Sequence, residues 1–267
     1  AFGLMDDFRW YNKALSETEI KQIYGDRSKF DNGYVYNYAN TSPYFDGVLK
    51  NVLKNTNSLD GYPGYKDHEN DLVAWYKFDD NLLDSSGNGN HLTAVVNGND
   101  FQDGKIDKAI LFNSDRTTEI RTTNNFQQIN QDSPVSVSVW VKLTDTNTNF
   151  IFGWGTNGTL TSIGLSFETN KLKYYIYGGG QFYTANTYTD TNKYYHVVFT
   201  RETGSQKIYV DGVLEGQGTL TDNFDTGSSK LYIGHTAHSD HNSTNYFDDF
   251  RIYDKVLSDF EVKQIYS

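Results

Sequence analysis

The chain has no cysteine, only three prolines and a single methionine among its 267 residues. Without cysteine, disulfide bonds and thiolate chemistry are excluded, so the core must be held together by packing alone. No apolar stretch is long enough to span a bilayer as a helix. Basic residues are also scarce, with 23 against 34 acidic ones, and the net charge of −11 repels phosphate backbones and anionic lipids. We therefore expect neither nucleic-acid binding nor membrane insertion, whereas cation binding is compatible with this charge.

Aromatic residues, by contrast, are abundant, at 16% of the chain with 21 tyrosines. This bias suits β-strands, where flat and branched side chains pack on a pleated surface. From Leu72 onward, short apolar segments alternate with turns rich in glycine, asparagine and aspartate. Asp211 and Gly212 stand between two apolar segments, which is a strong hairpin signal. The pattern predicts an all-β antiparallel sandwich rather than alternating strands and helices.

The segment VSVSVWVK at 135–142 shows the two faces of one predicted strand. Because side chains alternate along a strand, Val135, Val137, Val139 and Val141 share one side and should face the core. The opposite side carries two serines, a tryptophan and a lysine. That second face should lie under another layer or line a concave surface.

The chain nearly repeats itself, since residues 6–25 match residues 248–267 at thirteen of twenty positions. Such a repeat predicts a tandem array. We interpret 1–25 as the C-terminal strand and helix of a preceding repeat, 26–70 as an ordered inter-repeat connector and 71–267 as one complete domain. Ser258 and Glu261 are spaced as a capping box, which predicts a short helix at the end of that domain.

Six segments of residues 71–267 resemble, in order and spacing, the laminin-G-like domain of the concanavalin A-like lectin/glucanase superfamily. They are LVAWYKFDDNLLDSSGNGNHLTAV, KAILFN, VSVSVWVKL, YYHVVFTRETGSQKIYVDGVLEG, KLYIGHTA and YFDDFRIYDKVLS. The resemblance implies a jelly-roll sandwich of two curved antiparallel sheets with a short C-terminal helix. It also implies a module that binds glycans or proteins, often with calcium, in extracellular or surface assemblies.

A calcium site is expected where the first and last strands meet. Calcium binds six to eight oxygen ligands, and one turn-rich segment supplies Asp79, Asp84, Asn88 and Asn90. The resemblance places the first strand beside the last, and Asp248 occupies the position from which an aspartate often serves a structural calcium in the superfamily. We therefore predict these five residues as metal ligands. The alternative is that aspartate, asparagine and glycine are here simply turn formers.

A second group of residues predicts a carbohydrate-binding surface. Sugars stack on exposed aromatic rings, whose faces are apolar while their edges can remain hydrated. Trp154 lies between two glycines that could turn its indole towards solvent; if they do not, it belongs to the core. The other candidates surround the flexible turn Gly178–Gly180 and are Tyr175, Tyr177, Phe182 and Tyr183.

Catalytic sequence patterns are not found. Retaining glycoside hydrolysis needs two carboxyl groups about 5–5.5 Å apart, which laminarinase-like members of the superfamily carry in an E-x-D-x-(x)-E motif. This chain offers only Glu168 in a comparable strand, and the Glu119–Arg121 pair is typical of a solvated edge. We predict that the protein is not an enzyme.

Three histidines, at 235, 238 and 241, lie close to Asp240 and raise the question of a zinc site. Closed zinc sites need four rigidly held ligands. The surrounding sequence is typical of a polar loop, which we favour.

The sequence thus predicts a non-catalytic glycan-binding, adhesion or scaffolding module of a multi-repeat protein. We expect it at an extracellular, cell or virion surface, stabilised by calcium, with glycans, neighbouring repeats or other protein subunits as partners. Two alternatives stay open. One is a glycan hydrolase or lyase whose catalytic residues lie outside the familiar motif, and the other is a structural fibre or filament module that binds no sugar.

Overall fold

The computed structural model of the chain describes residues 71–94, 100–112, 119–126, 133–146, 148–222, 225–227, 229–236 and 243–266. The chain divides into two units, Ala1–His68 and Glu69–Ser267, and the described residues lie in the second. Segments 1–25 and 26–70 lie outside the described residues, so the tandem array stays a prediction. Across the described part of the chain, no helix has the length and hydropathy needed to cross a membrane.

The described residues form a predominantly β structure with one short helix at its C-terminal end. The elements are β1 (Leu72–Tyr76), β2 (Leu92–Ala94), β3 (Asp100–Asp103), β4 (Lys108–Leu111), β5 (Ile120–Thr122), β6 (Val135–Lys142), β7 (Asn149–Gly155), β8 (Ser162–Glu168), β9 (Lys171–Ile176), β10 (Gln181–Tyr183), β11 (Tyr194–Glu202), β12 (Ser205–Val210), β13 (Val213–Gly218), β14 (Leu231–Ile233), β15 (Tyr246–Tyr253) and α1 (Asp259–Tyr266).

The described strands pair into two antiparallel sheets, as the sequence predicted. The eight-stranded sheet has the order β13-β12-β11-β6-β15-β4-β3, with β1 also paired to β15. The seven-stranded sheet has the order β10-β9-β8-β7-β14-β5-β2. The pairing of β1 with β15 confirms that the first and last strands of the domain lie side by side.

The core lies between the two sheets and is built from alternating residues of each strand. The four valines of β6 all belong to it, as predicted. From the opposite sheet, Phe152 and Tyr174 meet Phe199 of β11, with Tyr174 and Phe199 stacked at a centroid distance of 4.5 Å. Burying several aromatic rings of this size supplies much of the hydrophobic stabilisation of a domain that has no disulfide.

Helix α1 covers part of the outer face of the eight-stranded sheet. Val262 of the helix is fully buried against Val198, Tyr209 and Tyr253. Ser258 caps the helix, because its Oγ accepts a hydrogen bond from the backbone N–H of Glu261 at 3.3 Å. The second face of β6 therefore lies partly under a second layer, which is one of the two arrangements that the sequence predicted.

Two turns fix the registers of the β12–β13 and β8–β9 hairpins. Asp211 and Gly212 both have positive φ angles, 50° and 78°, as the two-residue turn between β12 and β13 requires. Thr169 and Asn170 make the same kind of turn between β8 and β9, with φ angles of 51° and 66°. This turn places Glu168 directly opposite Lys171.

At one side of the sandwich the edge strands of the two sheets come together. The backbone N–H of Ala185, just after β10, donates a hydrogen bond of 2.8 Å to the carbonyl of Glu215 in β13. Gly216 and Gly218 make this approach possible. A β-carbon at 218 would lie 2.5 Å from the ring of Phe182, and one at 216 would lie 3.1 Å from the Thr184 α-carbon.

Candidate functional site

The outer face of the seven-stranded sheet carries a compact group of aromatic and charged side chains. Along β9, Leu172, Tyr174 and Ile176 point into the core. The alternate residues therefore point outward. Tyr175 is mostly buried, yet it lies outside the core cluster.

A single cross-strand row connects β10 to β7 on this outer face. Tyr183 lies opposite Lys173, Lys173 lies opposite Ser166, and Ser166 lies opposite Phe150. Directly opposite residues on neighbouring strands have their β-carbons about 4.5–5.5 Å apart, so their side chains interact. We call Lys173, Glu168, Tyr175 and Tyr183 the Lys173 cluster.

The ammonium group of Lys173 is at the centre of this cluster. Its Nζ donates a hydrogen bond of 2.8 Å to Glu168 Oε1. It also lies 5.4 Å from the ring centroid of Tyr175 and 5.7 Å from that of Tyr183. The Lys173 side chain is only 16% exposed, whereas that of Glu168 is 35% exposed. The cluster thus offers hydrogen-bond donors and acceptors beside two aromatic rings.

Two glycines form the floor next to the Lys173 cluster. Gly164 of β8 pairs with Gly153 of β7, and the Tyr175 ring lies over Gly164. Gly153 is covered by His235 and Thr236, whose backbone atoms would lie 2.7 Å from a β-carbon at that position. Burial raises the pKa of the Tyr175 hydroxyl well above its ordinary value, so this group stays protonated.

Trp154 lies in the core, and the prediction that its indole reaches solvent is wrong. Its side chain is 3% exposed and packs edge-to-face against Phe126 at 5.4 Å. A bulge between Phe150 and Phe152 shifts the alternation, after which Trp154 stays paired with Ile163 of β8. The flanking glycines leave this pairing intact, so they do not turn the indole outward.

The four remaining aromatic candidates divide into three environments. Tyr183 (36% exposed) and the more buried Tyr175 flank Lys173 in the cluster described above. Tyr177 is 38% exposed beside the Gly178–Gly180 turn, just past the end of β9. The sequence predicted Phe182 as an exposed stacking surface. Instead its ring faces inward and packs against Tyr174 at a centroid distance of 5.8 Å. Sequence reasoning missed Lys173, although the outward alternation in KLKYYI could have revealed it.

Asp79 and Asp248 contact the same loop, residues 104–108, which runs from the end of β3 into the first residue of β4. The Asp248 carboxylate is fully buried, and its Oδ2 accepts a hydrogen bond of 2.7 Å from the backbone N–H of Ile106. Asp79 Oδ1 accepts one of 3.1 Å from the N–H of Lys108. Gly104 allows the loop to close around the Asp248 carboxylate, since a β-carbon at 104 would lie 2.6 Å from Asp248 Oδ2.

The surroundings of Asp248 fit an oxygen-bound cation. Its Oδ1 is buried and has no hydrogen-bond partner among the described residues. Burial raises the pKa of Asp248 to about 7, helped by the charges of Asp249 and Asp79. A cation beside Oδ1 would supply both the missing partner and the compensating charge. No group of three or more histidine or acidic side chains is arranged for a metal in the described residues. Backbone carbonyls or water would therefore have to complete a calcium shell.

Asp84, Asn88 and Asn90 organise the loop that follows β1, in the manner of turn formers. The two Asp84 oxygens accept backbone N–H bonds from Trp75, Ser86 and Asn90 at 2.9 Å each. The Asn88 amide donates to the Leu72 carbonyl at 2.7 Å, and the Asn90 amide to the Val73 carbonyl at 2.8 Å. The structure thus brings Asp79 and Asp248 to one loop but gives the other three predicted ligands a different set of partners.

The carboxylates and histidines that could suggest catalysis are arranged for other roles. Glu119 forms an ion pair of 3.2 Å with Arg121, and Glu168 is paired with Lys173. His196 is buried and hydrogen-bonded to Ser138 at 2.9 Å, as expected for a packing residue. His235 is half-buried, and the rest of the predicted histidine loop, including positions 238, 240 and 241, lies outside the described residues.

The sequence is similar to that of a known protein family. A laminin-G-like family model, described as the concanavalin A-like lectin/glucanases superfamily, matches residues 114–263. A search of curated protein sequences found no match.

Several solved structures share the fold at low sequence identity. One is the binding domain of Paraclostridial Mosquitocidal Protein 1 (TM-score 0.61, 19% identity, covering 75% of this chain and 52% of that one). Another is domain 4 of the extracellular arabinanase AbnA from Geobacillus stearothermophilus, in complex with arabinotriose (0.55, 24%, covering 73% and 98%). A third is the binding domain of botulinum neurotoxin serotype G (0.59, 17%, covering 73% and 50%). The chain spans about half the length of the two toxin domains.

Proposed function

The chain belongs to the concanavalin A-like lectin/glucanases superfamily, and on that premise we propose that it is a non-catalytic saccharide-binding module. The ligand would lie on the outer face of the seven-stranded sheet, against the Lys173 cluster. The observation that carries this proposal is the position of the Lys173–Glu168 ion pair beside the rings of Tyr175 and Tyr183. A fold hosts many functions, so we assign saccharide binding from this site rather than from the family alone.

The chemistry of the cluster matches that of a sugar ring. A pyranose or furanose presents an apolar C–H face that stacks on an aromatic ring, and hydroxyls that both donate and accept hydrogen bonds. Lys173 supplies only donors and ionised Glu168 only acceptors, so together they can bind two neighbouring hydroxyls. The exposed ring of Tyr183 supplies the stacking surface.

Three of the structural relatives support a binding role. Domain 4 of the arabinanase is a separate module of an extracellular enzyme and is seen in complex with arabinotriose. The toxin relatives are binding domains. By analogy we place this module in an extracellular, cell-surface or virion-surface protein, where it would attach to glycans or to neighbouring subunits.

We also propose that calcium stabilises the module. Asp79 and Asp248 would hold the ion, which would link β15 to the β3–β4 loop and neutralise a buried carboxylate. The ion's role here is structural cross-linking. It would lie on the eight-stranded sheet, whereas the Lys173 cluster belongs to the other sheet, so calcium would not contact the saccharide.

The test measures saccharide binding by the full chain and by matched tyrosine variants. Arabinotriose and a panel of immobilised neutral oligosaccharides serve as probes. Tyr183→Ala should weaken binding by a few-fold to about tenfold, because stacking on an aromatic ring is worth about 0.5–1.5 kcal/mol.

Tyr246→Ala is the control, because Lys142 Nζ lies 5.3 Å from the Tyr246 ring on the other sheet, in similar chemistry. It should bind like the wild type. Equal binding by wild type and Tyr183→Ala would refute the site, and a wild type that binds no saccharide would favour the structural alternative.

A further inference from the structure

We propose that Glu168 makes the Lys173 cluster selective for neutral saccharides by excluding acidic ones, such as chains containing uronic or sialic acids. This inference rests on the proposed function. It assigns Glu168 a specificity role in addition to hydrogen bonding.

Lys173 would attract anions if Glu168 were not present. Its ammonium lies between two tyrosine rings with little solvent, and a poorly solvated cation binds a carboxylate strongly. Glu168 already occupies that position, with its Oε1 2.8 Å from Lys173 Nζ. An incoming carboxylate would have to displace it or approach it closely.

Glu168 also lies between two lysines. It is directly opposite Lys171 on β9 and diagonal to Lys173. Lys171 forms no ion pair among the described residues, so the single charge of Glu168 offsets one of the two positive charges beside it. Glu119, another paired carboxylate of this outer face, immediately precedes β5 and is bound to Arg121.

Glu168 therefore removes one of the two positive charges that Lys171 and Lys173 bring to this part of the surface. With Glu168 ionised, the cluster has an acceptor where an acidic sugar would place its own carboxylate, and like charges brought together cost binding energy. Without it, two lysines and two tyrosines remain, which is the composition of an anion site. The net charge of −11 acts in the same direction, because it disfavours the approach of anions from a distance. Specificity of this kind comes from repulsion of the wrong ligand.

The experiment removes the charge of Glu168 with an isosteric change. Glu168→Gln in the full chain is compared with wild type on neutral oligosaccharides and on their uronic-acid and sialylated counterparts. We expect binding of the acidic probes to rise about tenfold or more, and this gained binding to weaken with added salt. Binding of the neutral probes should weaken, because Glu168 itself accepts a sugar hydroxyl and a glutamine amide is a weaker acceptor. The quantity compared is therefore the ratio of acidic to neutral binding in each protein.

Two controls isolate the effect. Glu119→Gln removes one charge from the same sheet face and should leave the acidic probes unbound. The double change Glu168→Gln with Lys173→Gln should lose the gained binding, because the cation that receives the acid is gone. Thermal unfolding of each variant within a few degrees of wild type shows that the fold is retained.

The outcomes separate this inference from the proposed function. If wild type binds neutral probes and Glu168→Gln gains no acidic ones, the inference is overturned and the proposed function stands. If wild type already binds acidic probes as well as neutral ones, the inference is likewise overturned. If wild type binds no saccharide, both fall together.

Discussion

The phenol ring of Tyr175 lies over Gly164 on the neighbouring strand, so close that a β-carbon at 164 would be 2.5 Å from the phenol oxygen. Glycine at this position is therefore what allows the ring to lie flat beside Lys173. The φ angle of Gly164 is not positive, so its backbone conformation does not require glycine. Its role is to leave space rather than to permit a special turn.

Gly164→Ala should consequently affect the ligand site more than the fold. The added methyl group meets the phenol end of a side chain rather than backbone, so we expect Tyr175 to move aside at a modest cost in stability. Saccharide binding should weaken by several-fold, because Tyr175 no longer flanks Lys173. Binding and urea unfolding of the same preparation provide the measurement.

Gly104→Ala is the contrasting case for that experiment. A β-carbon at 104 would meet the Lys108 backbone at 2.5 Å, and backbone cannot swing away. This variant should lose stability while any retained fold keeps its saccharide affinity. The prediction for Gly164→Ala is contradicted if the folded variant binds as wild type does, or if the variant loses as much stability as Gly104→Ala.

Trp154→Ala should destabilise the protein by about 3–5 kcal/mol, as expected for removal of a large buried ring. The indole is enclosed in the core against Phe126. Urea denaturation would measure the loss. Tyr177→Ala, at an exposed position, should remain within about 0.5 kcal/mol of wild type. A stable Trp154→Ala protein would show that the residue is not part of the core.

Calcium should raise the melting temperature, and removal by EDTA should lower it. An ion that binds only the folded state contributes about 2.7 kcal/mol at a hundredfold excess over its Kd. Asp248→Asn should abolish the calcium-dependent shift, because the buried carboxylate is its main anionic ligand.

Asp84→Asn separates the calcium site from the neighbouring loop. Asp84 accepts three backbone N–H bonds, so its replacement should lower stability by about 1–3 kcal/mol. The response to calcium should persist in this variant. A calcium shift that survives Asp248→Asn, or one that disappears in Asp84→Asn, would argue against the proposed ligands.

His196 should make the protein less stable in acid. Burial lowers the pKa of His196 to about 3. The positive charges of Arg251 and Lys105 also lower this pKa, whereas the negative charge of Asp211 raises it. The unfolded chain, with an ordinary histidine pKa near 6.5, takes up a proton that the folded state refuses. The stability contributed by neutral His196 is thus fully present above about pH 6.5 and is lost as the pH falls towards 3.

The measurement compares wild type with His196→Gln, so that other titrating groups cancel. Between about pH 6.5 and pH 4, the unfolding free energy of wild type should fall relative to the variant by up to about 1.4 kcal/mol per pH unit. Parallel pH profiles for the two proteins would mean that His196 is accessible to protons in the folded state.

Local sequence patterns predicted much of the fold, because they depend on neighbours along the chain. A few consecutive residues are enough to specify the alternating valines of β6, the Asp211–Gly212 turn and the Ser258 cap. The position of Trp154 was different. The bulge between Phe150 and Phe152 changes which side of the strand each residue faces, and a bulge depends on the partner strand.

The candidate site was predictable only in part for the same reason. Tyr175 and Tyr183 could be identified as aromatic candidates from composition and nearby glycines. The pairing of Lys173 with Glu168 depends on the β8–β9 register, which the turn at Thr169 and Asn170 sets. Asp79 and Asp248 are far apart in sequence, and the β3–β4 loop that both contact carries no metal-binding motif.

Gly216 and Gly218, which bring β13 against the end of β10, also bear on how the protein behaves at high concentration. An exposed strand edge is a template onto which another chain can add and propagate a fibril. Here the carbonyl of Glu215 already accepts a hydrogen bond within the same molecule, and the edge strand of each sheet shields the edge strand of the other. A bulky residue at 218 would clash with Phe182 and separate the two edge strands, β10 and β13. The variant would then expose a strand edge onto which another copy could add, so it should aggregate more readily than wild type.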